Sequence, residues 1–303
     1  MENLPTDFFV TSSAYTPTAY RDQYPSIDPT TPALSQAGIA VIITGAAIVL
    51  VGRDARKLQA TEDSLRKISG GGVGDTSTGT VECVSVPTDV ADPRSAEKLF
   101  QVVKDRYGHA DVLVNNAGVF SSTGPIASVD PSEWWRDFEV NVKRMFLVTR
   151  AFLRLLKGPT GTGAGTESRK KAWIVTMATG MATTGVFAGM SSYSISKLAA
   201  LKVGEYVAAE YPNVSIVVLQ PGVVMTDMVL EGFKRFALET PELVGGVGVW
   251  LSTEDARFLS GRFVSANWSA DELKAREKDI VAGEGSEGYT GREVWLGAVS
   301  MRN

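Results

Sequence analysis

Cysteine and histidine are nearly absent from this sequence, which contains one of each in 303 residues. The single cysteine, Cys83, excludes an internal disulfide and a cysteine-rich zinc site, and its apolar surroundings are typical of a buried strand. One histidine and one cysteine together argue against Ser-His-Asp, Cys-His and histidine-based metal chemistry. We therefore expect no metal site and look for chemistry carried by other side chains.

Basic runs and long apolar runs are also scarce. The net charge is -4 and no basic run is longer than 169–171, so we expect no nucleic-acid partner. The N-terminus has acidic residues and no basic segment, which predicts no secretory signal and a cytoplasmic protein. The uncharged segment 37–52 is shorter than the ~18–20 residues of a membrane span. We expect no membrane attachment, and a protein anchored through this segment is the minor alternative.

Strand-like and helix-like segments alternate through most of the chain, which predicts an α/β domain over 34–268 with a parallel sheet covered on both faces. Residues 1–33 are rich in proline, threonine, serine and tyrosine and show no sustained period, so they predict an extended arm. The aromatic residues of this arm indicate that it lies on the domain. Residues 269–303 predict a helix, beginning at Asp271, and a tail.

Three aspartates mark predicted helix starts. Asp54 precedes a helical pattern that ends at Ser69, and Asp92 and Asp130 are each followed by a proline. The last of these helices carries an apolar stripe with the period of a helix, interrupted by Asn141. A polar residue in such a stripe is costly when it is buried without a partner.

Tyr193 and Lys197 stand at the start of another helical pattern, after an apolar strand over 173–177 and a loop rich in glycine and threonine. Four positions apart on a helix, they share one face. An ammonium beside a phenol favours phenolate, so we expect the pKa of Tyr193 to fall below its usual value of about 10. Such a phenol could exchange a proton with a carbonyl or alcohol oxygen near neutral pH. The pair alone does not exclude a chance spacing on a helix surface.

Four motifs in one order set this pair in context. They are NNAG at 115–118, Asn141, Tyr193-x-x-x-Lys197 and Pro221-Gly222-x-x-x-Thr226. Together they resemble the short-chain dehydrogenase/reductase family over about residues 37–268. The resemblance implies a Rossmann-like, doubly wound, mostly parallel sheet. It also implies an NAD(P)-dependent oxidoreductase that interconverts a carbonyl and a secondary alcohol by hydride transfer.

The resemblance also implies roles for individual residues. Tyr193 would be the general acid/base, Lys197 would tune it and hold the nicotinamide ribose, and Asn141 would hold a water of a proton relay. Thr179 stands where the family has a serine that orients the substrate oxygen, fourteen positions before Tyr193. The residues implied in cofactor binding are Gly45, Arg53, Asp89, Val90, Asn115, Ala117, Gly118, Tyr193, Lys197, Pro221, Gly222, Val224 and Thr226.

The first β-α-β unit departs from the family pattern. The family has a TGxxxGxG loop and a helix between its first two strands, whereas here only Thr44-Gly45 remains before the apolar run 48–51. A parallel crossover needs a dozen or more residues, so we expect that both strands cannot occupy their family positions. The helix N-terminus that would bind the pyrophosphate is missing as well. The alternative function is therefore a catalytically impaired remnant (a pseudoenzyme, splice variant or truncated gene model) with weak or no cofactor binding.

Cofactor, substrate and assembly can be narrowed only in part. Arg53 suits the 2′-phosphate of NADP, so the sequence favours NADP, with NAD possible. Apolar residues in 228–249 predict an apolar small-molecule carbonyl or alcohol as substrate. The long helices over 131–157 and 190–211 correspond to those through which family members commonly pair, so a homodimer or homotetramer is expected.

Overall fold

A computed structural model of the chain describes residues 4–34, 41–44, 49–70, 83–156, 171–183 and 185–282. Within these residues, one or more helices lie between successive strands from the second strand to the last. The strands are β1 (Val41–Thr44), β2 (Val49–Gly52), β3 (Val84–Pro87), β4 (Val112–Asn115), β5 (Ala172–Met177), β6 (Val214–Gln220) and β7 (Arg262–Ser265). The helices are α1 (Phe8–Thr11), α2 (Ala55–Gly70), α3 (Pro93–Tyr107), α4 (Pro131–Phe138), α5 (Met145–Leu156), α6 (Ser191–Glu210), α7 (Pro241–Leu251), α8 (Ala270–Ala275) and α9 (Glu277–Ala282).

The strands form one seven-stranded sheet in the order β3-β2-β1-β4-β5-β6-β7, and every neighbouring pair is parallel. All seven residues of β6 are buried, as expected for a strand covered on both faces. One apolar core contains residues of α3, α5 and α6, and a second contains residues of α7, the arm and the C-terminal helices. The predicted α/β class with a doubly wound parallel sheet is confirmed.

The predicted helix starts are also confirmed. The carboxylate of Asp54 accepts hydrogen bonds from two backbone N–H groups at the start of α2. Asp92 and Asp130 do the same for α3 and α4, each with a proline in the first turn. At the end of α3, Gly108 adopts a φ of 75°, a left-handed conformation that glycine takes without strain. These helices are therefore delimited by local chemistry that the sequence states directly.

The pairing of β1 with β2 corrects one expectation. The two strands lie side by side and parallel, between β3 and β4, so the expectation that both could not occupy these positions was wrong. Thr44 pairs with Val51 and Ile42 with Val49, so the chain returns by only two residues, roughly 7 Å along the strand. An extended residue spans about 3.3–3.6 Å, so a short connection can cover this distance without a helix. The connection itself, 45–48, lies outside the described residues.

A second difference lies in the helix that follows Asp130. The sequence predicts one regular helix, whereas the structure has a π-helical segment, Glu139–Arg144, between α4 and α5. The segment contains Asn141, which is 2% exposed. Wider π turns inside an α-helix are frequently found at functional sites. The polar interruption of the apolar stripe therefore coincides with a change in helical geometry.

The N-terminal arm packs against the domain through its aromatic and apolar residues. The rings of Tyr15 and Trp268 lie 5.2 Å apart, and Ile27 is fully buried among residues of the second core. A Cβ built on Gly246 of α7 would lie 2.5 Å from the carbonyl oxygen of Ile27, so the arm touches α7 where there is no side chain. The proposed boundaries at 33 and 268 stay a prediction.

Within the part of the chain that the structure describes, no helix has both the length and the apolar character needed to cross a bilayer. The described residues of the apolar segment 37–52 belong to β1 and β2.

Candidate active site

The candidate catalytic residues meet at the carboxyl ends of β4 and β5, beside the start of α6. Parallel strands present their carboxyl ends at one edge of the sheet, where open α/β folds bind ligands. Thr179 follows β5 by two residues, while Tyr193 and Lys197 lie in the first two turns of α6. Asn141 reaches the same place from the π-helical segment. Four segments distant in sequence thus converge on one site.

The ring of Tyr193 is half-buried and stacks on Phe120, with 4.7 Å between the ring centroids. A side-chain hydrogen bond joins its phenol to Thr179. Thr179 also accepts a hydrogen bond of 3.3 Å from the backbone N–H of Met181, and this contact orients its hydroxyl. The structure therefore brings together the phenol and the hydroxyl that stands in the serine position of the family pattern.

The pKa of Tyr193 shifts in the direction opposite to the expectation. Burial raises the pKa of Tyr193 to about 12, the carboxylate of Asp137 adds to the rise, and the hydrogen bond from Thr179 opposes it. The expected lowering by Lys197 was wrong, because Nζ of Lys197 lies 6.0 Å from the centroid of the phenol ring while burial penalises the phenolate. At neutral pH the phenol is consequently protonated and can donate.

Lys197 is buried, and its Nζ donates a hydrogen bond of 2.8 Å to the carbonyl oxygen of Met177. Burial lowers the pKa of Lys197 to about 8, and the carboxylate of Asp137 opposes this lowering. An ammonium has three N–H donors, so two are left for a ligand beyond the Met177 bond. Gly118 lies beside it: a Cβ on Gly118 would be 3.2 Å from Nζ. The missing side chain leaves room at the ammonium, which fits a ribose hydroxyl.

Asn141 is buried, and both polar atoms of its amide have hydrogen-bond partners. Its Oδ1 accepts from the backbone N–H of Val119 at 2.9 Å, and its Nδ2 donates to the carbonyl oxygen of the same residue at 2.9 Å. Nδ2 also donates to the Ser196 hydroxyl at 3.0 Å. These bonds offset the cost of burying the amide. Asn141 therefore connects the segment after β4 to α6, one residue before Lys197.

The residues after β4 divide into two kinds. The side chain of Asn115 is buried and donates to Thr149 at 3.0 Å and to Thr176 at 3.3 Å, so it joins β4 to α5 and β5. Ala117 is exposed and Gly118 half-buried, as residues lining a groove can be. The side chain of Asn115 thus holds the end of β4 in place.

Of the residues implied in binding the adenine half of the cofactor, the structure shows which are exposed but brings few of them into contact. Arg53 is exposed directly after β2, and Val90 is buried. Asp89 is exposed, accepts from the backbone N–H of Ala91 at 3.1 Å, and lies 3.5 Å from the guanidinium of Arg144. Gly45, the remaining glycine of the family loop, lies outside the described residues.

The segment after β6 is fixed by a residue that the sequence did not single out. Gly222 has a φ of 79°, and a Cβ there would lie 2.7 Å from the side chain of Glu239. The buried carboxylate of Glu239 accepts from the backbone N–H of Val223 at 2.9 Å. Arg21 of the arm pairs with the same carboxylate at 3.3 Å. The arm therefore contacts the support of the Pro-Gly segment.

Within that segment the predicted residues differ in exposure. Pro221 is half-buried, Val224 forms a bridge with Glu239, and Thr226 is exposed. Nothing in the local pattern around Glu239 marked it, because its partners are 16 and 218 positions away. Asp137 was also missed, although its position four residues before Asn141 on one helix was a signal.

Comparisons with known proteins bear on the family. The family model described as short chain dehydrogenase matches residues 38–235. The chain is 34% identical over 300 residues to the short chain dehydrogenase pigC of Monascus ruber, covering 92% of this chain and 93% of that protein. It is 35% identical over 209 residues to the short chain dehydrogenase andI of Emericella variicolor, covering 67% of this chain and 68% of that protein.

Solved structures are similar at lower identity. A short-chain dehydrogenase from Shigella flexneri, complexed with NADP, has a TM-score of 0.64 and 21% identity, covering 78% of this chain and 99% of that one. Levodione reductase has a TM-score of 0.64 and 18% identity, covering 76% and 96%. These likenesses show the Rossmann-like fold. The family match and the two relatives show that the chain belongs to the short-chain dehydrogenase/reductase family of oxidoreductases.

Proposed function

We propose that this enzyme interconverts a carbonyl and a secondary alcohol, with an NAD(P) cofactor as hydride carrier and Tyr193 as the general acid/base. The observation that carries the proposal is the convergence of Tyr193, Thr179 and Lys197 at the carboxyl ends of β4 and β5. The bound nicotinamide would supply or accept the hydride. The protein would supply alignment and the proton.

The protonation state of Tyr193 favours carbonyl reduction at neutral pH. With a pKa of about 12, the phenol keeps its proton and can donate it where negative charge develops on the substrate oxygen. Thr179 would hold that oxygen beside the phenol. In the reverse direction the phenol must first lose its proton, so alcohol oxidation requires a higher pH.

Lys197 and Asn141 would act around this donor. The two unused N–H donors of Lys197 suit the ribose hydroxyls of the cofactor, and Gly118 leaves the approach to them open. Asn141, which is bonded to Val119 and Ser196, would hold the relay water near the lysine. Asn115, Ala117, Pro221, Gly222, Val224 and Thr226 would line the rest of the nicotinamide groove.

NADP is the proposed cofactor, and NAD is the alternative. An exposed arginine directly after the second strand suits a 2′-phosphate, and Arg53 is such a residue. Asp89 and Val90, after β3, would meet the adenine. Comparing the dissociation constants of NADPH and NADH for wild type and Arg53→Ser checks the preference, since the variant should lose affinity for NADPH alone.

A Tyr193→Phe substitution tests the proposal. Removing the phenol proton should lower NADPH-linked carbonyl reduction by about 10²–10⁴-fold, because positioned acid/base groups contribute on that scale. Circular dichroism should show an unchanged fold. Tyr206→Phe, an exposed tyrosine on the same helix, is the matched control and should keep wild-type turnover. Unchanged turnover in Tyr193→Phe would refute the assignment.

The pH dependence of the wild type is the second measurement. Because the pKa of Tyr193 lies near 12, reduction should be nearly flat between about pH 6 and pH 8, where the phenol stays protonated. Alcohol oxidation should rise with pH over the same range, since the phenolate fraction increases. A reduction rate that falls steeply across this range would contradict the protonated phenol as donor.

A catalytically impaired remnant is the second candidate, favoured by the four-residue connection 45–48 in place of a loop and helix. Titrating NADPH against the protein by fluorescence separates the two candidates. Saturation at micromolar concentration supports the enzyme, and no binding at millimolar concentration supports the remnant.

Substrate and assembly extend the proposal. We expect an apolar small molecule, because Met225 and Met228 are exposed after β6, while Phe233 and Phe236 farther along the same segment are buried against Phe9 of the arm. Exposed apolar residues also mark the long helices, which supports a homodimer or homotetramer; they are Trp135, Phe146, Ile195, Leu198 and Tyr206. Light scattering of Trp135→Glu measures this, since a dimer through these helices should dissociate. A cytoplasmic location stays a prediction.

A further inference from the structure

Asp137, on the last turn of α4, is fully buried and carries no role in the proposed function so far. Its Oδ1 accepts a hydrogen bond of 2.8 Å from the backbone N–H of Ser121, and its Oδ2 accepts one from the hydroxyl of Ser192. Since Ser192 uses its proton for Asp137, the Ser122 hydroxyl donates to Ser192, at 3.3 Å. A buried carboxylate therefore ends a chain of two hydroxyls.

The hydrogen bonds of Asp137 and Asn141 hold residues that lie next to Tyr193 or to its stacking partner. Asn141 binds the backbone of Val119, and Asp137, one helical turn earlier, binds the backbone of Ser121. Phe120 lies between these two anchored residues and stacks on the Tyr193 ring. Asp137 thus hydrogen-bonds to Ser192, which directly precedes Tyr193. It also hydrogen-bonds to Ser121, which directly follows Phe120, the stacking partner of Tyr193. Displacing Asp137 would move both supports of the phenol.

The charged surroundings of the site are sparse. The segments 116–123, 172–182 and 214–220, which carry the strand ends around the site, contain no ionisable side chain. The other charged residues of α4 and the π-helical segment lie outside the network: Glu133, Arg136, Glu139 and Lys143 are exposed, and Arg144 faces Asp89. On α6, Lys202 pairs with Glu205 near the surface. Among the described residues, the ionisable groups beside the Tyr193 phenol are therefore Asp137 and Lys197, while the Glu239–Arg21 ion pair lies at the segment after β6.

We propose that Asp137 is a positioning residue of the active site, which holds Phe120 and Ser192 against Tyr193 and supplies the negative charge that balances the Lys197 ammonium. The proposal rests on the proposed function, because it assigns Asp137 to the proton exchange of Tyr193. With Asp137 ionised, Lys197 protonated and Tyr193 neutral, the three groups carry no net charge. A bound substrate therefore meets a neutral site with a protonated donor.

The shifts of the two partners agree with this arrangement. The carboxylate of Asp137 adds to the rise of the Tyr193 pKa and opposes the fall of the Lys197 pKa. A negative charge acts in the same direction on both, because it disfavours phenolate and favours ammonium. Removing the charge should therefore lower both pKa values, and bring the ionisation of Tyr193 closer to neutral pH.

Asp137→Asn tests the charge, because the amide keeps the size of the side chain and an oxygen acceptor for Ser121. The pH profile of alcohol oxidation should move to lower pH by roughly one unit. Tyrosinate absorbance, taken as the difference from Tyr193→Phe in the same background, should move in the same direction without any turnover. Ser192→Ala is the matched control: it removes the hydrogen bond, retains the charge, and should leave the pH profile in place while lowering kcat.

Three results would overturn the role of Asp137. They are unmoved profiles in Asp137→Asn, equal shifts in Asp137→Asn and Ser192→Ala, and loss of the folded state in both Asp137→Asn and Asp137→Ser, which would make Asp137 a purely structural residue. The proposed function fails separately, through absence of turnover in the wild type. In that case the tyrosinate titration alone decides whether Asp137 acts on Tyr193.

Discussion

The two ends of the proposed cofactor site are built very differently. At the nicotinamide end, Asn141 and Asp137 bind backbone groups of the segment after β4, and Lys197 binds one of β5, so the catalytic side chains are fixed by buried hydrogen bonds. At the pyrophosphate end, β1 and β2 are joined by the four residues 45–48, where the family pattern has a loop and a helix. Both ends nevertheless lie along one continuous seven-stranded sheet.

This difference separates the residues proposed for proton transfer from the segment proposed to determine cofactor affinity. The geometry around Tyr193 depends on β4, β5, the π-helical segment and α6, and none of these contacts uses the first connection. A helix N-terminus supplies backbone N–H groups and a favourable dipole to a phosphate. We therefore expect the shortened connection to affect how tightly a dinucleotide binds and to leave the proton donor intact.

Removing the ammonium has the largest effect expected among the tests of this comparison, and it probes the nicotinamide end. Lys197→Met should lower turnover by at least about 100-fold, because a positioned charge at the reacting centre is lost. The thermal unfolding midpoint should fall, because the buried carboxylate of Asp137 would lose the ammonium that balances its charge. Differential scanning calorimetry and steady-state kinetics measure the two effects.

Lys202→Met is the control, because Lys202 is an exposed lysine on the same helix. It should alter neither quantity. Retained turnover in Lys197→Met, measured below its unfolding midpoint, would contradict the division between a catalytic end and a binding end.

Insertion of a family-like GxxxGxG loop and helix between Ala47 and Ile48 probes the other end. A helix N-terminus at an anion is worth up to about 2 kcal/mol, so NADPH should bind up to roughly 30-fold more tightly. Fluorescence titration gives the dissociation constant, and the turnover number at saturation should change little. The comparison breaks if affinity is unaffected while turnover rises, because the first connection would then act on the chemistry.

The smallest expected effect comes from Gly222→Ala, which sharpens the description of the nicotinamide end. Gly222 has a φ of 79° and lacks space for a Cβ beside Glu239, so alanine should displace the Pro-Gly segment and weaken NADPH binding by about tenfold. Gly108→Ala is the matched control, with a φ of 75° and nothing within 4 Å of a built Cβ. It should cost about 1 kcal/mol of stability and no affinity.

Much of this fold could be predicted because its signals are local. Asp54, Asp92 and Asp130 mark helix starts through contacts two or three residues ahead, and these predictions are confirmed. Alternation of strands and helices was sufficient for the parallel sheet. The spacing of Tyr193 and Lys197 placed both on one face of α6, where the structure also has them.

The remaining features depend on distant contacts. The rise in the pKa of Tyr193 comes from burial and from Asp137, which is 56 positions away, so a local pair of phenol and ammonium predicted the wrong sign. The parallel pairing of β1 and β2 depends on register, which no pattern within 39–51 reveals. Glu239 is held in place by Val223 and Arg21, which are 16 and 218 positions away.

The arm and the C-terminal helices are joined by hydrogen bonds and by a common apolar core. The hydroxyl of Tyr24 accepts from the backbone N–H of Ala270 at 2.8 Å, and Ile27 and Trp268 belong to the same core as β6. The family match, 38–235, omits all of these residues together with β7. A fragment trimmed to that match would expose one face of its sheet to water, and a chimera that exchanges only that stretch with a relative would inherit a mismatched core. The part of this chain that packs as one structural unit is therefore longer at both ends than the part that the family model matches.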